Sequence, residues 1–185
     1  MSRPFERLAP SLCAFAAAAL ALPLTAQRAA ESDWSYYSGN AATTRYSPLS
    51  QIDASNVARL RIAWRHPHVD PAITRANPDL TYSNRYMSTP IYVDGLLYVP
   101  NGWGLAEAID PKTGRTVWTQ KPLVDGPEGL PSIMISKCVA YWAGGDGASP
   151  RIFNVRQQHL FALDPRTGAP VTSFGDGGQV NLTID

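Results

Sequence analysis

His66, His68 and Asp70 are the first residues in the chain whose types and spacing could do chemistry. Alternate side chains of an extended segment share a face, and two imidazoles with a carboxylate form part of a ligand set for a divalent metal. No third histidine lies nearby, and His66 to Asp70 opens a polar stretch up to Tyr86 that reads as a surface loop, so no metal is assigned here. Cys138 stands beside Val139-Ala140-Tyr141 and reads as a small buried hydrophobe, not a reactive thiol. Gly144-Gly145-Asp146-Gly147 is followed by neither a Lys-Ser/Thr pair nor a helical pattern, which excludes a phosphate-binding loop. The 185 residues carry a formal net charge of +1, so no strong field recommends nucleic acid or an anionic membrane as a partner.

The elements that must hold such residues come from a repeat. Ala108-Ile109-Asp110-Pro111-Lys112-Thr113-Gly114-Arg115-Thr116-Val117-Trp118 returns in degraded form as Ala162-Leu163-Asp164-Pro165-Arg166-Thr167-Gly168-Ala169-Pro170-Val171, an offset of 54 residues (164 − 110). In each copy an apolar run enters a turn in which proline presets φ and glycine supplies positive φ, and a second apolar run leaves it, which is a β-hairpin. Asp94-Gly95 between Met87 to Val93 and Leu96 to Val99 is a second hairpin signal. With Leu105 to Asp110 and Arg115 to Gln120 these strands make one four-stranded unit. Val139 to Trp142, Ile152 to Val155, Leu160 to Asp164 and Gly168 to Phe174 are expected to make the next. Ahead of them, Asp53 heads one or two helical turns through Leu60, and Leu60 to Trp64 reads as an orphan strand ending on the counterpart of Trp118. Sixteen prolines and fourteen glycines agree with short strands and many turns.

Arg3 and Arg7 precede an apolar run, Leu12 to Leu24, that ends in small residues near Ala26. This is the pattern of a cleaved signal peptide, with a signal anchor as its rival, because the run is shorter than the roughly 20 residues of a spanning helix. The expected organisation is a signal peptide over 1–26, an N-terminal strap and short helix over 27–59, and a partial propeller over 60–185. With Cys13 removed in the leader, Cys138 has no intrachain disulfide partner.

A period slightly above that of known propeller blades points to an all-β fold, a β-propeller, with about two complete blades plus the orphan closing strand. Asp33-Trp34 to Leu49, Asn56 to Leu60 running into Ala63-Trp64, the Thr89 to Gly95 hairpin, the two Asp-Pro-x-Thr-Gly turns and Val139-Ala140-Tyr141-Trp142 together resemble the quinoprotein dehydrogenases that use pyrroloquinoline quinone (PQQ). The resemblance implies an eight-bladed propeller with PQQ and a divalent cation, usually calcium, at its centre. It also implies oxidation of a sugar or alcohol hydroxyl by hydride transfer, with a quinone or cytochrome of the respiratory chain as electron acceptor. The catalytic Asp and the cation's ligands come from blades later than those present here. Phe174-Gly175-Asp176-Gly177-Gly178 looks most like the branch of membrane-associated glucose dehydrogenases, and Pro131-Ser132 stands where the alcohol branch has paired cysteines. Lys137 occupies the place of a quinone-contacting Arg, keeping the charge but losing the planar fork, and Met87 the place of a Glu or Gln near the cofactor. Trp64 and Trp118 read as blade-packing residues; of Tyr141 and Trp142, one should face the packing between blades and the other the funnel. The leader pattern gives the expectation of a periplasmic or secreted protein, and the resemblance to the glucose dehydrogenase branch adds a membrane-associated one. A non-enzymatic propeller of the same repeats, acting as a binding or outer-membrane assembly scaffold, is the alternative.

Overall fold

The computed structural model describes residues 33–76, 78–79, 87–121 and 137–183. Two four-stranded antiparallel sheets hold the molecule together, each with its strands in sequence order. The first blade contains β1 (Ile91–Val93), β2 (Leu96–Pro100), β3 (Ala106–Ile109) and β4 (Thr116–Thr119). The second contains β5 (Ala140–Trp142), β6 (Arg151–Arg156), β7 (His159–Leu163) and β8 (Gln179–Asn181). Asp94 and Gly95 both take positive φ, 48° and 82°, which makes the link from β1 to β2 the two-residue turn whose twist matches a hairpin.

The blades pack face to face. Ile91, Val93, Tyr98, Ala106, Ala108 and Trp118 of the first meet Val139, Ile152, Phe161 and Leu163 of the second in one apolar layer. Side chains alternate along a strand, so Glu107 and Ile109 point the other way, and β3 is buried on both faces. Tyr141 packs against the shared layer, whereas Trp142, opposite Arg151 in the ladder, lies on the far face at 37% exposure. Tyr141 is therefore the member of that pair that faces between the blades.

Three expectations are revised. Gly168 to Phe174 is not the last strand of the second blade: apart from a single bridge between Leu163 and Pro170, it forms turns, and Gln179–Asn181 pairs with β7 instead. Glu107 pairs with Thr119 and its counterpart Phe161 pairs with Gln179, so the 54-residue offset on β3 becomes 60 on β4 and six residues are looped out. The pairing of Gly168 to Phe174 with β7 lasts only through the Val171 amide on the Ala162 carbonyl, and Gly175, Gly177 and Gly178, all at positive φ, carry the detour. Leu60 to Trp64 joins no ladder among the described residues, since a strand exists only with a partner edge, and Leu60 and Ile62 are 53% and 69% exposed. The N-terminal strap is tied to the fold through Trp34, whose backbone exchanges two hydrogen bonds with Tyr92; within the strap Gly39 lies against the Trp34 ring, and Tyr46, Leu49 and Ile52 stand in solvent. The expected helix after Asp53 is one short 3-10 turn, Val57–Arg59, with Asp53 closing the turn before it.

Candidate functional site

The two Asp-Pro-x-Thr-Gly turns are built alike from their own side chains. Asp110 Oδ1 accepts the Lys112 amide at 2.9 Å and Oδ2 the Thr113 hydroxyl at 2.8 Å. Asp164 Oδ1 accepts the Arg166 amide at 3.0 Å and the Thr167 hydroxyl at 2.9 Å. Gly114 and Gly168 both sit at φ 69° and donate their amides to the Asp carbonyl at 2.8 Å. Onto each turn lies a tryptophan from the preceding unit. Trp64 Nε1 donates to the Pro111 carbonyl and Trp118 Nε1 to the Pro165 carbonyl, both at 2.8 Å. A Cβ on Gly114 would stand 2.5 Å from the Trp64 ring, and one on Gly168 2.5 Å from the Trp118 ring, so glycine is required by close approach as well as by φ. The segment ending at Trp64 thus docks on the first blade as β4 docks on the second, which is the role read for both tryptophans.

The two candidate cofactor residues precede β1 and β5 at the opposite end of the blades. Thr89 N donates to the Lys137 carbonyl at 2.9 Å, tying the chain that enters β1 to the chain that enters β5. Met87 and Lys137 flank that bond, and both side chains are exposed. At the turn end a shallow notch of about 250 Å³ lies between the blades, lined by Asp94, Tyr98, Tyr141, Asp164 and Arg166. Tyr98 donates its hydroxyl to the Pro165 carbonyl at 3.2 Å; burial, reinforced by Asp94, pushes it up to about 12. Tyr141 is also raised, first by burial and then by Asp94 and Asp33. Arg166 pairs with Asp94 at 2.9 Å with both side chains largely in water, so the pair contributes little.

The metal-like trio is dispersed among separate tasks. His66 faces the first blade, His68 packs against Gly102, and Asp70 Oδ1 accepts the Ala72 amide at the head of the short helix Pro71–Ala76. Among the described residues no three His, Cys, Asp or Glu side chains gather to hold a metal. The residue that sequence reading passed over is Glu107, 1% exposed in the centre of the first blade. Its signal was a lone carboxylate in the apolar run Leu105 to Ile109. Cys138 is half-buried, not the fully buried small hydrophobe that the sequence suggested.

The repeated docking and the sheet order match a known family: the beta-propeller domain of glucose, ethanol and alcohol dehydrogenases of the PQQ class, over residues 34–185. The chain belongs to this PQQ propeller family. It is 31% identical over 167 residues to the quinohemoprotein alcohol dehydrogenase of Comamonas testosteroni, covering 86% of this chain and 21% of that protein. It is 32% identical over 163 residues to the dehydrogenase subunit of a quinone alcohol dehydrogenase of Gluconobacter oxydans, covering 83% of this chain and 19% of the relative. A quinoprotein glucose dehydrogenase of Gluconobacter oxydans is 28% identical over 165 residues, covering 83% of this chain and 20% of the relative. The crystal structure of the Comamonas testosteroni enzyme superposes with a TM-score of 0.56, covering 78% of this chain and 20% of that one at 31% identity. The PQQ propeller chain described here therefore spans about a fifth of the length of the relatives it matches. Those relatives include both alcohol and glucose enzymes, so the branch suggested by Phe174 to Gly178 is not distinguished; Pro131-Ser132 lies outside the described residues.

Proposed function

We propose that this chain supplies two blades of an exported PQQ-dependent dehydrogenase that oxidises a sugar or alcohol hydroxyl and passes electrons to a quinone or cytochrome acceptor. The observation that carries the reading is the match of residues 34–185 to the PQQ propeller family, with Lys137 and Met87 brought to one end of neighbouring blades by the Thr89 bond. When bound, PQQ supplies the redox chemistry, accepting hydride from the carbon that bears the substrate hydroxyl. This chain's part is to bind and orient. The Lys137 ammonium, on an exposed side chain, can donate charge-assisted hydrogen bonds to a carboxylate or quinone oxygen of such an anionic ligand. Met87 can lie against an aromatic face through its polarizable sulfur but offers no strong hydrogen bond. The residues present fit the rim of a quinone site; a divalent cation, calcium in our reading, would take ligands from elsewhere in the protein. Export rests on the Arg3, Arg7 and Leu12 to Leu24 pattern, which lies outside the described residues.

The test is dye-linked dehydrogenase activity of the full gene product, assayed with alcohols and sugars before and after adding PQQ and Ca²⁺. Activity that appears only on reconstitution supports the enzyme. A folded product that neither binds PQQ nor turns over in the presence of both leaves the scaffold reading in its place.

A further inference from the structure

We infer that His66 and Glu107 form a proton-dependent clamp that seats the Trp64 segment on the first blade and loosens as pH rises. His66 Nδ1 lies 2.9 Å from the Gly114 carbonyl, which can only accept, so Nδ1 carries a hydrogen. His66 Nε2 lies 3.3 Å from Glu107 Oε2. With Nδ1 committed, that contact is a hydrogen bond only when one further proton sits between ring and carboxyl, as imidazolium with carboxylate or as imidazole with carboxylic acid. The remaining partners keep the geometry in place. Asn101 Oδ1 accepts the Trp103 and Leu105 amides, at 2.9 and 3.0 Å, which turns its Nδ2 onto Glu107 Oε1 at 2.9 Å. Thr119 Oγ1 on β4 reaches the same oxygen at 3.4 Å.

Loss of the shared proton would leave a carboxylate facing the lone pair of Nε2 in a site where Glu107 is 1% exposed. Two acceptors then meet with no hydrogen between them, and the buried charge has lost its strongest donor. Burial already holds the Glu107 carboxyl above its ordinary value, aided by the Asp70 charge and opposed by Asn101 and His66. A group raised in the folded state stabilises fully below its unfolded value and loses that contribution as pH rises through the folded one, so the contact weakens as pH rises through the raised Glu107 value. The groups facing the pair are Asn101 on the loop after β2, Thr119 on β4, the Gly114 carbonyl on the turn and Asp70 on the segment itself. His66 is 15% exposed and gives the proton a path to solvent. Trp64 docks two residues before the clamp, so opening it also frees the indole from Pro111.

The experiment is hydrogen exchange of the peptide spanning residues 62–68 in the full gene product, corrected for intrinsic exchange, from about pH 5 to about pH 9, a range that starts just above the ordinary value of a glutamate carboxyl. Protection in the wild type is expected to fall roughly tenfold to a hundredfold across the range, the scale of one charged hydrogen bond. Glu107→Gln, whose amide can donate to a neutral ring, should be flat, and His66→Gln, which leaves the buried carboxyl in place, should keep only part of the wild-type slope. A wild type with constant protection, a slope retained in folded Glu107→Gln, or the full wild-type slope retained in folded His66→Gln overturns the clamp.

Discussion

At the residue scale the consequences depend on what each atom touches. If Lys137 contacts the quinone, Lys137→Ala in the full gene product should weaken PQQ binding about tenfold to a hundredfold, the loss of one charge-assisted hydrogen bond of roughly 1.5–3 kcal/mol. Lys137→Arg should retain or improve binding; titration of the apo-protein reads both, and an Ala variant with unchanged affinity places the lysine on the solvated surface. The glycines separate two costs that are usually mixed. Gly95 and Gly168 share positive φ, 82° and 69°, but a Cβ on Gly95 meets nothing within 4 Å while one on Gly168 strikes the Trp118 ring. Gly95→Ala should therefore cost only the backbone term, about 1–2 kcal/mol. Gly168→Ala should cost more, because the ring must also shift, and thermal denaturation of the two variants compares them directly.

At the element scale the unit that matters is a strand's tryptophan seated on the next turn. Trp118→Phe removes the indole bond to the Pro165 carbonyl while keeping most of the packing, and should cost about 1–2 kcal/mol. Trp118→Ala also removes a side chain only 9% exposed, for a cost of about 3–5 kcal/mol in the full gene product by denaturant titration. The turns carry an acid sensitivity of their own. The Lys112 amide, with the Thr113 hydroxyl, holds the Asp110 carboxyl below its ordinary value. Its contribution is complete above the unfolded value and is lost as pH falls through the lowered folded value, so the turn weakens in acid. Asp110→Asn should remove that part of the acid dependence, measured as a flatter stability profile on the acid limb.

At the scale of the whole molecule, the far face of the second blade stays partly open among the described residues. Trp142, Val155 and Leu182 remain 37%, 43% and 47% exposed, and the Leu60 to Trp64 segment has no ladder among the described residues. Open sheet edges and apolar faces associate, so residues 27–185 expressed alone should sediment as more than a monomer or lack a cooperative thermal transition. A monodisperse monomer with a sharp calorimetric transition would contradict this. The leader makes a separate claim: exported material should begin near Gln27, and N-terminal sequencing that reads from Met1 would refute cleavage.

The amino-acid sequence by itself determined the hairpins, the 54-residue repeat and the family, because turns and alternation are local properties. Asp, Pro, Thr and Gly at fixed spacing build the same turn wherever they occur, and the two tryptophans had only one kind of place to go. Only the tertiary structure decided where β8 lies, since Gly168 to Phe174 has apolar residues enough for a strand and loses the place to Gln179–Asn181 through the register of β7. It alone turned Tyr141 inward and Trp142 outward, and it alone tied the chain entering β1 to Lys137 through the Thr89 amide. Glu107 is the clearest case. The sequence shows only a lone carboxylate in an apolar run, because its partners His66, Asn101 and Thr119 come from three other parts of the chain, and a buried charge is legible only once the groups that satisfy it have been folded around it.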